Sequence, residues 1–84
     1  MNLVARTPQQ MGDALRRFRK LKQLTQRDIS GQVGMRQATI SSVENGDPGT
    51  QLKTLTEILK ALNLELVLRE RGKTRDVDLE DIFS

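Results

Sequence analysis

The first 22 residues carry the spacing of an amphipathic helix. Thr7 and Pro8 form a start signal, with threonine as the N-cap, proline at the first helical position and Gln10 completing a T-x-x-Q capping box. Apolar residues then recur at steps of three and four, which places them on one side of a helix. They are Met11, Leu15, Phe18 and Leu21. The pattern predicts a helix over about 8–22.

Two short helices are predicted next, with a glycine between them. Thr25, followed three positions later by Asp28, marks the start of the second helix, and Gly34 ends it. The third helix is predicted over about 36–45, with Gly46 as a left-handed stop. The inward positions are Ile29, Val33, Ile40 and Val43. Two short helices joined by a tight glycine turn make a helix-turn-helix unit, which presents its second helix to the DNA major groove.

A fourth helix is predicted after the turn at residues 47–49. Thr50 is its expected cap, and Asn63 is expected to end it in the left-handed conformation. Between them runs a broad apolar stripe that faces the core. It consists of Leu52, Leu55, Ile58, Leu59 and Leu62. The sequence therefore predicts an all-α domain of four to five helices.

After the fourth helix the apolar repeat shortens to two residues. Leu64, Leu66 and Leu68 alternate with other side chains over residues 64–69, which is typical of a strand. The chain offers no clear second strand, and a lone strand leaves its backbone groups unpaired. We therefore expect pairing with the same strand of a second copy, in an intermolecular two-stranded ribbon. A fifth short helix is the alternative, because leucine and glutamate are good helix formers.

The outer face of the third helix has a composition suited to reading DNA bases. Its residues are Arg36, Gln37, Ala38, Ser41 and Ser42. Glutamine pairs with adenine and arginine with guanine through two hydrogen bonds each, while alanine suits the thymine methyl group. Any exposed helix is polar, but this one lacks the mixed Glu/Lys pairs of an ordinary solvated helix. Thr39 is a further candidate for either bases or phosphates.

Phosphate contacts are expected where helices begin, because their free N–H groups and dipole attract anions. Gln26 stands beside the cap of the second helix, and Thr50 and Lys53 stand at the start of the fourth. The full predicted phosphate set is Gln26, Thr39, Ser42, Asn45, Thr50 and Lys53. A basic run over residues 16–22 adds five positive charges, but helical geometry spreads them around the axis.

Composition excludes several classes of protein. The 84 residues contain neither cysteine nor histidine, which removes thiolate nucleophiles and nearly all zinc chemistry. So short a chain has no room for a water-excluding catalytic pocket, so we expect no enzyme, no cofactor and no metal. No apolar run approaches the span of a bilayer and residues 1–6 lack a signal-peptide layout, so we expect a cytoplasmic protein without a membrane partner.

Charge divides the chain in two. Fourteen basic and seven acidic side chains leave residues 1–75 with a net charge of +7, whereas residues 76–84 carry four acids and a charge of −4. A basic body with an acidic end is typical of a polyanion-binding domain with a separate tail. We predict one DNA-binding and dimerisation domain over 1–70, then a charged linker and acidic tail over 71–84. The tail is predicted either to dock on a partner or to mask the DNA face of its own dimer.

The combined pattern TQ…G…ATIS…ENG over residues 10–63 resembles the Cro/C1-type (XRE) helix-turn-helix family. The resemblance implies a lambda-repressor-like fold. It also implies that Arg19, although part of the basic run, forms a buried ion pair with Glu44 instead of touching DNA.

Gln-Ala-Thr-Ile-Ser in the third helix, followed by a helix and a Leu-x-Leu-x-Leu strand, narrows the resemblance to HipB-like antitoxins. That family implies a homodimer closed by an intermolecular β-lid, a palindromic operator and a HipA-type Ser/Thr kinase toxin as partner. Carried over by position, the base contacts are Arg36, Gln37, Ala38 and Ser41. The ending Asp-Ile-Phe-Ser and the absence of tryptophan depart from the family in the tail, the segment that would make a tail-mediated toxin contact.

Two other functions fit the same residues. A phage-type or restriction–modification controller has a similar domain, but such proteins are usually wholly helical, so segment 64–69 discriminates. The second alternative function is that of an interaction module, which binds a toxin but no operator. Its affinity for DNA would be weak and insensitive to salt. The resemblance to HipB-like antitoxins instead predicts a transcriptional autorepressor and antitoxin. We expect it to be cytoplasmic and, when bound to its operator, associated with the nucleoid.

Overall fold

The computed structural model describes residues 1–71, which contain four helices. They are α1 (Pro8–Leu21), α2 (Gln26–Val33), α3 (Gln37–Glu44) and α4 (Leu52–Ala61). The predicted acidic tail and most of the predicted linker lie outside the described residues, and the domain boundary at residue 70 stays a prediction. None of the helices in residues 1–71 has the length and apolarity that a bilayer crossing requires.

The helix starts follow the predicted signals with two corrections. Thr25 and Asp28 form the full capping box of α2, in which each side chain accepts the other residue's backbone N–H. Thr7 caps α1, but the side-chain Oε1 of Gln10 accepts from the backbone N–H of Arg6, one residue further out than the Thr7 N–H of the predicted capping box. Thr50 is not the cap of α4. Its N–H closes the preceding turn on Asp47, and the helix begins one residue later than expected, with Gln51 as N-cap.

Each helix ends in a residue with a left-handed backbone. Gly34, Gly46 and Asn63 occupy these positions as predicted, with φ of 70°, 84° and 56°. Gln23 at the end of α1 does the same with φ 59°, which the sequence did not indicate. At the ends of α1, α3 and α4, the left-handed residue and the residue after it each donate their backbone N–H to a carbonyl of the last turn. These bonds satisfy carbonyl groups that a helix end leaves unpaired.

One apolar core joins the four helices. Its buried members are Leu15, Ile29, Ile40, Val43, Ile58, Leu59 and Leu62. Two predicted core residues are instead exposed, Leu21 at 59% and Leu52 at 67%. Leu21 lies six residues beyond Leu15, which places it about one third of a turn away from the buried side of α1. Leu52 is the first residue of α4, where the helix has not yet reached the core.

The predicted strand over 64–69 is not formed in the single described chain, and neither is the alternative fifth helix. Leu64 is half-buried against the core, and its N–H donates to the carbonyl of Leu59 at 2.8 Å. The residues after it are exposed. A strand requires a neighbouring strand for its hydrogen bonds, and the described part of one copy supplies none.

The capping box of α2 predicts a pH dependence of stability. The backbone N–H of Thr25, with a smaller contribution from its hydroxyl, lowers the pKa of Asp28 below its ordinary value of 3.8. Because the pKa is lower in the folded state, this stabilisation is complete above the unfolded pKa and is lost as pH falls through the folded one. Asp28→Ala should therefore reduce the free energy of unfolding at pH 6, and by clearly less at pH 3.

Urea unfolding followed by circular dichroism at both pH values measures this difference. Glu57→Gln is the matched control, because Glu57 is an exposed helical acid that makes no side-chain hydrogen bond or ion pair within residues 1–71. An Asp28→Ala effect of equal size at pH 6 and pH 3 would contradict the prediction.

Candidate nucleic-acid interface

The outer face of α3 presents most of the predicted base-contacting residues to solvent. Arg36 is the N-cap, and it is exposed together with Gln37 and Ala38 in the first turn. One turn later Ser41 lies half-buried in the middle of the face. Gln37 and Ser41 lie four residues apart and so on one side of α3, with Ala38 beside them, and this side faces away from the buried Val43. The four predicted base-contacting residues thus share one surface, which is polar except for the Ala38 methyl group.

The three predicted phosphate contacts on α3 differ in their exposure to solvent and in their distance from the centre of the outer face. Ser42 and Asn45 are exposed and extend the outer face towards the end of the helix. The Asn45 amide lies 3.5 Å from the Ser41 hydroxyl, at the limit of a hydrogen bond, so its donors are nearly free for another acceptor. Thr39 is half-buried and lies on the flank of α3, well away from the centre of that face.

A buried ion pair fixes α3 to α1. The Arg19 Nε donates to Glu44 Oε2 at 2.6 Å and its Nη2 donates to Oε1 at 3.0 Å, which is a two-pronged contact between side chains only 9% and 5% exposed. The hydrogen bond that Arg19 donates to Glu44, reinforced by the negative charge of Glu44, raises the pKa of Arg19 against the opposing effect of burial. The pair that the family resemblance implied is thus in contact, and Arg19 is turned away from solvent.

The same carboxylate also holds α2. The Gln26 Nε2 donates to Glu44 Oε1 at 3.1 Å, and the Arg19 Nη1 donates to the carbonyl of Leu24 at 2.8 Å in the loop before α2. Arg19, Gln26, Leu24 and Glu44 thus join three helices and a loop. We call this set the Glu44 network. Gln26, predicted as a phosphate contact, uses one of its two amide N–H donors in the hydrogen bond to Glu44. The second N–H donor remains available for a phosphate.

Two glycines bring α1 and the end of α3 into close contact. A Cβ on Gly12 would lie 2.4 Å from the Glu44 carbonyl oxygen and 2.6 Å from that of Val43. A Cβ on Gly46 would lie 2.7 Å from the Cα of Gln9, and its φ of 84° already disfavours other residues. The sequence reasoning did not single out Gly12, although an unexplained glycine inside a helix indicates close packing.

The helix N-termini differ in their suitability for anions. Asp28 places an acid in the first turn of α2, which offsets the attraction of that helix end for a phosphate. The first turns of α3 and α4 contain no acid and neither start is capped by a side chain. Lys53 is exposed in the first turn of α4, whereas Thr50 is half-buried two residues before the helix. The start of α4 therefore offers free N–H groups and one cation.

The rest of the basic run faces away from the core. Arg16, Arg17 and Lys20 are exposed on the side of α1 opposite Leu15 and Arg19. In residues 1–71 no group of three or more acidic side chains is placed to hold a metal ion. The α3 face and the start of α4 present amides, hydroxyls and cations, which suit a polyanion with readable base edges.

Comparisons with known proteins agree with this geometry. A helix-turn-helix family model matches residues 15–68. The chain is 36% identical over 62 residues to antitoxin HipB of Escherichia coli K12 and of strain CFT073, alignments that cover 74% of this chain. The chain spans about two thirds of the length of these curated relatives, 70% and 66% respectively.

Solved structures show the same likeness. A HipB–O4 20mer complex matches with a TM-score of 0.78 and 32% identity, covering 82% of this chain and 97% of that one. A HipA–HipB–O2–O3 complex matches with a TM-score of 0.77 at the same identity and coverage.

Proposed function

Because the chain belongs to the XRE-type helix-turn-helix family, we propose that it binds a palindromic DNA operator as a homodimer and serves as repressor and antitoxin of a HipBA-type toxin–antitoxin module. The observation that carries this proposal is the polar face of α3, held outward on a rigid frame. The similar proteins named HipB support the antitoxin role. These relatives are named as antitoxins, which supports a function without catalysis.

Sequence readout is assigned to the start of α3. Arg36 and Gln37 carry the planar groups that pair with guanine and adenine, and Ala38 contributes a methyl group for thymine. Ser41 is half-buried and has a short side chain, so it is assigned a base contact only where the DNA lies close to the helix. In a dimer the two α3 helices enter successive major grooves about 34 Å apart on one side of the duplex.

Positioning on the sugar–phosphate backbone is assigned to the surrounding helix starts and hydroxyls. Lys53 and the uncapped start of α4 grip one strand, and the second N–H donor of Gln26 grips the other. Ser42 and Asn45 border the groove-facing surface, and Thr39 and Thr50 complete the set from less exposed positions. These contacts hold the protein in register and carry little sequence information.

Dimerisation is assigned to residues 64–69. Leu66 and Leu68 are 46% and 97% exposed in the single chain, and pairing with the same segment of a second copy buries them while satisfying the backbone. A kinase toxin of the HipA type is the proposed protein partner, supported by the similar HipA–HipB–O2–O3 complex. A toxin that bridges two bound dimers strengthens operator binding by adding valency.

Arg36→Ala and Gln37→Ala test the operator proposal. Each should weaken binding to a duplex from the promoter upstream of the protein's own reading frame by about 1–3 kcal/mol, because each removes a two-pronged base contact. Arg17→Ala is the matched control, since it removes an exposed arginine from the far side of α1. Fluorescence anisotropy at several salt concentrations measures the affinities, and the wild type should show a steep loss of affinity with salt.

The opposite result has a definite meaning. If Arg36→Ala and Gln37→Ala together leave the affinity unchanged, the α3 face does not bind the operator. A wild-type affinity that is weak and indifferent to salt would favour an interaction module that binds only the toxin.

A further inference from the structure

An open groove of about 860 Å³ separates the two ends of the described chain. Residues 1–6 form one wall and residues 63–71 form the other. The floor is the side of α1 that carries Met11, Ala14 and Phe18. The segment assigned to dimerisation, residues 64–69, lines this groove, so a molecule bound in the groove would lie at the proposed dimer interface.

The N-terminal wall has the burial pattern of a strand. Leu3 and Ala5 are half-buried, while Asn2, Val4 and Arg6 are exposed. This alternation has the two-residue period of a β-strand with one side against the protein. The sequence concealed it, because Leu3, Val4 and Ala5 are all apolar and give no alternation of residue type.

Both walls leave backbone and apolar groups uncovered. Within residues 1–71, no backbone–backbone hydrogen bond involves residues 1–5 or 65–71. Seven large apolar side chains are exposed in this part of the chain, and five belong to the two walls. They are Met1, Val4, Leu66, Val67 and Leu68. Two segments whose backbones are not paired with each other, and an apolar floor, thus face one groove.

We propose that the C-terminal segment of a second copy fills this groove. Residues 64–69 of each copy then lie between the partner's residues 64–69 on one edge and the partner's residues 2–6 on the other. The two-fold axis makes both halves identical and gives a four-stranded sheet, with the N-terminal segments on the outside. The inference rests on the dimer of the proposed function and adds the N-terminal segment to its interface.

The physics of small sheets favours this arrangement over a ribbon of two strands. An isolated two-stranded ribbon is marginal in water, whereas three or more strands with an apolar side against a helix are stable. Here α1 supplies that support through the groove floor. A second copy is the occupant that fits best, because its segment 64–69 is already placed at the groove by the pairing of the two C-terminal segments.

Disulfide trapping tests the arrangement directly, because the chain has no cysteine of its own. One tagged copy carries Val4→Cys and a differently tagged copy carries Val67→Cys, both on the outer side of the proposed sheet. Glu65→Cys and Arg69→Cys extend the series, since shifts of two residues keep the same side. After co-expression and oxidation, at least one pairing should give a cross-linked heterodimer, while Val4→Cys with Thr56→Cys on α4 should give none. No cross-link across the series would overturn the proposal.

Deletion of residues 2–5 separates the new inference from the dimer on which it rests. The dissociation constant of the dimer, measured by analytical ultracentrifugation, should rise at least about tenfold while the helical signal is retained. Leu66→Lys should also dissociate the dimer. If Leu66→Lys does so and the deletion changes the constant by less than about twofold, only the N-terminal pairing is wrong. If neither change affects the dimer, both proposals fail.

Discussion

Glu44→Gln is expected to lower the free energy of unfolding by about 3–5 kcal/mol, the usual cost of leaving one member of a buried ion pair without its partner. The Arg19 side chain is only 9% exposed, so its charge cannot be rehydrated without opening the fold. Glutamine keeps the size of the side chain but offers one acceptor oxygen where three N–H donors now converge. Urea unfolding monitored by circular dichroism measures the loss.

Two further variants show whether the loss comes from the uncompensated charge. Arg19→Met combined with Glu44→Leu should recover part of the stability, because an apolar pair often replaces a buried ion pair at little cost. Glu57→Gln on the exposed side of α4 should change the stability by less than about 0.5 kcal/mol. A Glu44→Gln effect as small as the Glu57→Gln effect would show that the pair is not effectively buried.

Gly12→Ala is expected to be the second most damaging change. Helix propensity alone predicts a gain of about 1 kcal/mol, since alanine is the better helix former. The added methyl group would nevertheless lie 2.4 Å from the Glu44 carbonyl oxygen, which is backbone and cannot rotate away. Separating α1 from α3 should cost about 1–3 kcal/mol or more, so the variant should be less stable than the wild type.

Gly31→Ala provides the matched comparison. Gly31 lies in the middle of α2, and a Cβ there meets nothing within 4 Å. The same substitution should therefore stabilise the protein by up to about 1 kcal/mol. Thermal unfolding of the two variants side by side checks both signs. If Gly12→Ala stabilises as Gly31→Ala does, α1 and α3 are not in the close contact described above.

The helices could be predicted from the sequence because their signals are local. Capping at Thr7 and Thr25, and the left-handed stops at Gly34 and Asn63, each depend on residues within one turn. Errors arose where two local signals compete. The sequence places the cap of α4 at Thr50, one residue too early, because both Thr50 and Gln51 stand before the apolar stripe and only the turn on Asp47 distinguishes them.

The candidate interface was predictable to a different degree on each side of α3. A period of 3.6 residues fixes which side chains share the outer face, so Gln37, Ala38 and Ser41 could be grouped from spacing alone. The inner contacts could not. The bond from Gln26 to Glu44 joins residues 18 positions apart, and no local pattern specifies which polar groups meet across three helices. The groove between residues 1–6 and 63–71 is likewise not predictable from local patterns, because its two walls are far apart in the sequence.

The left-handed helix ends have a consequence for how the molecule assembles. Each corner of the bundle is closed by hydrogen bonds that span no more than five residues, so the reversals of direction form without waiting for distant parts of the chain. Folds dominated by such short-range contacts form quickly. The proposed pairing of two copies instead requires a bimolecular encounter, whose rate falls as the protein is diluted. If the proposed dimer forms, freshly synthesised chains at low abundance should therefore pass first through a folded single-copy state in which residues 1–6 and 64–69 are still unpaired with a second copy.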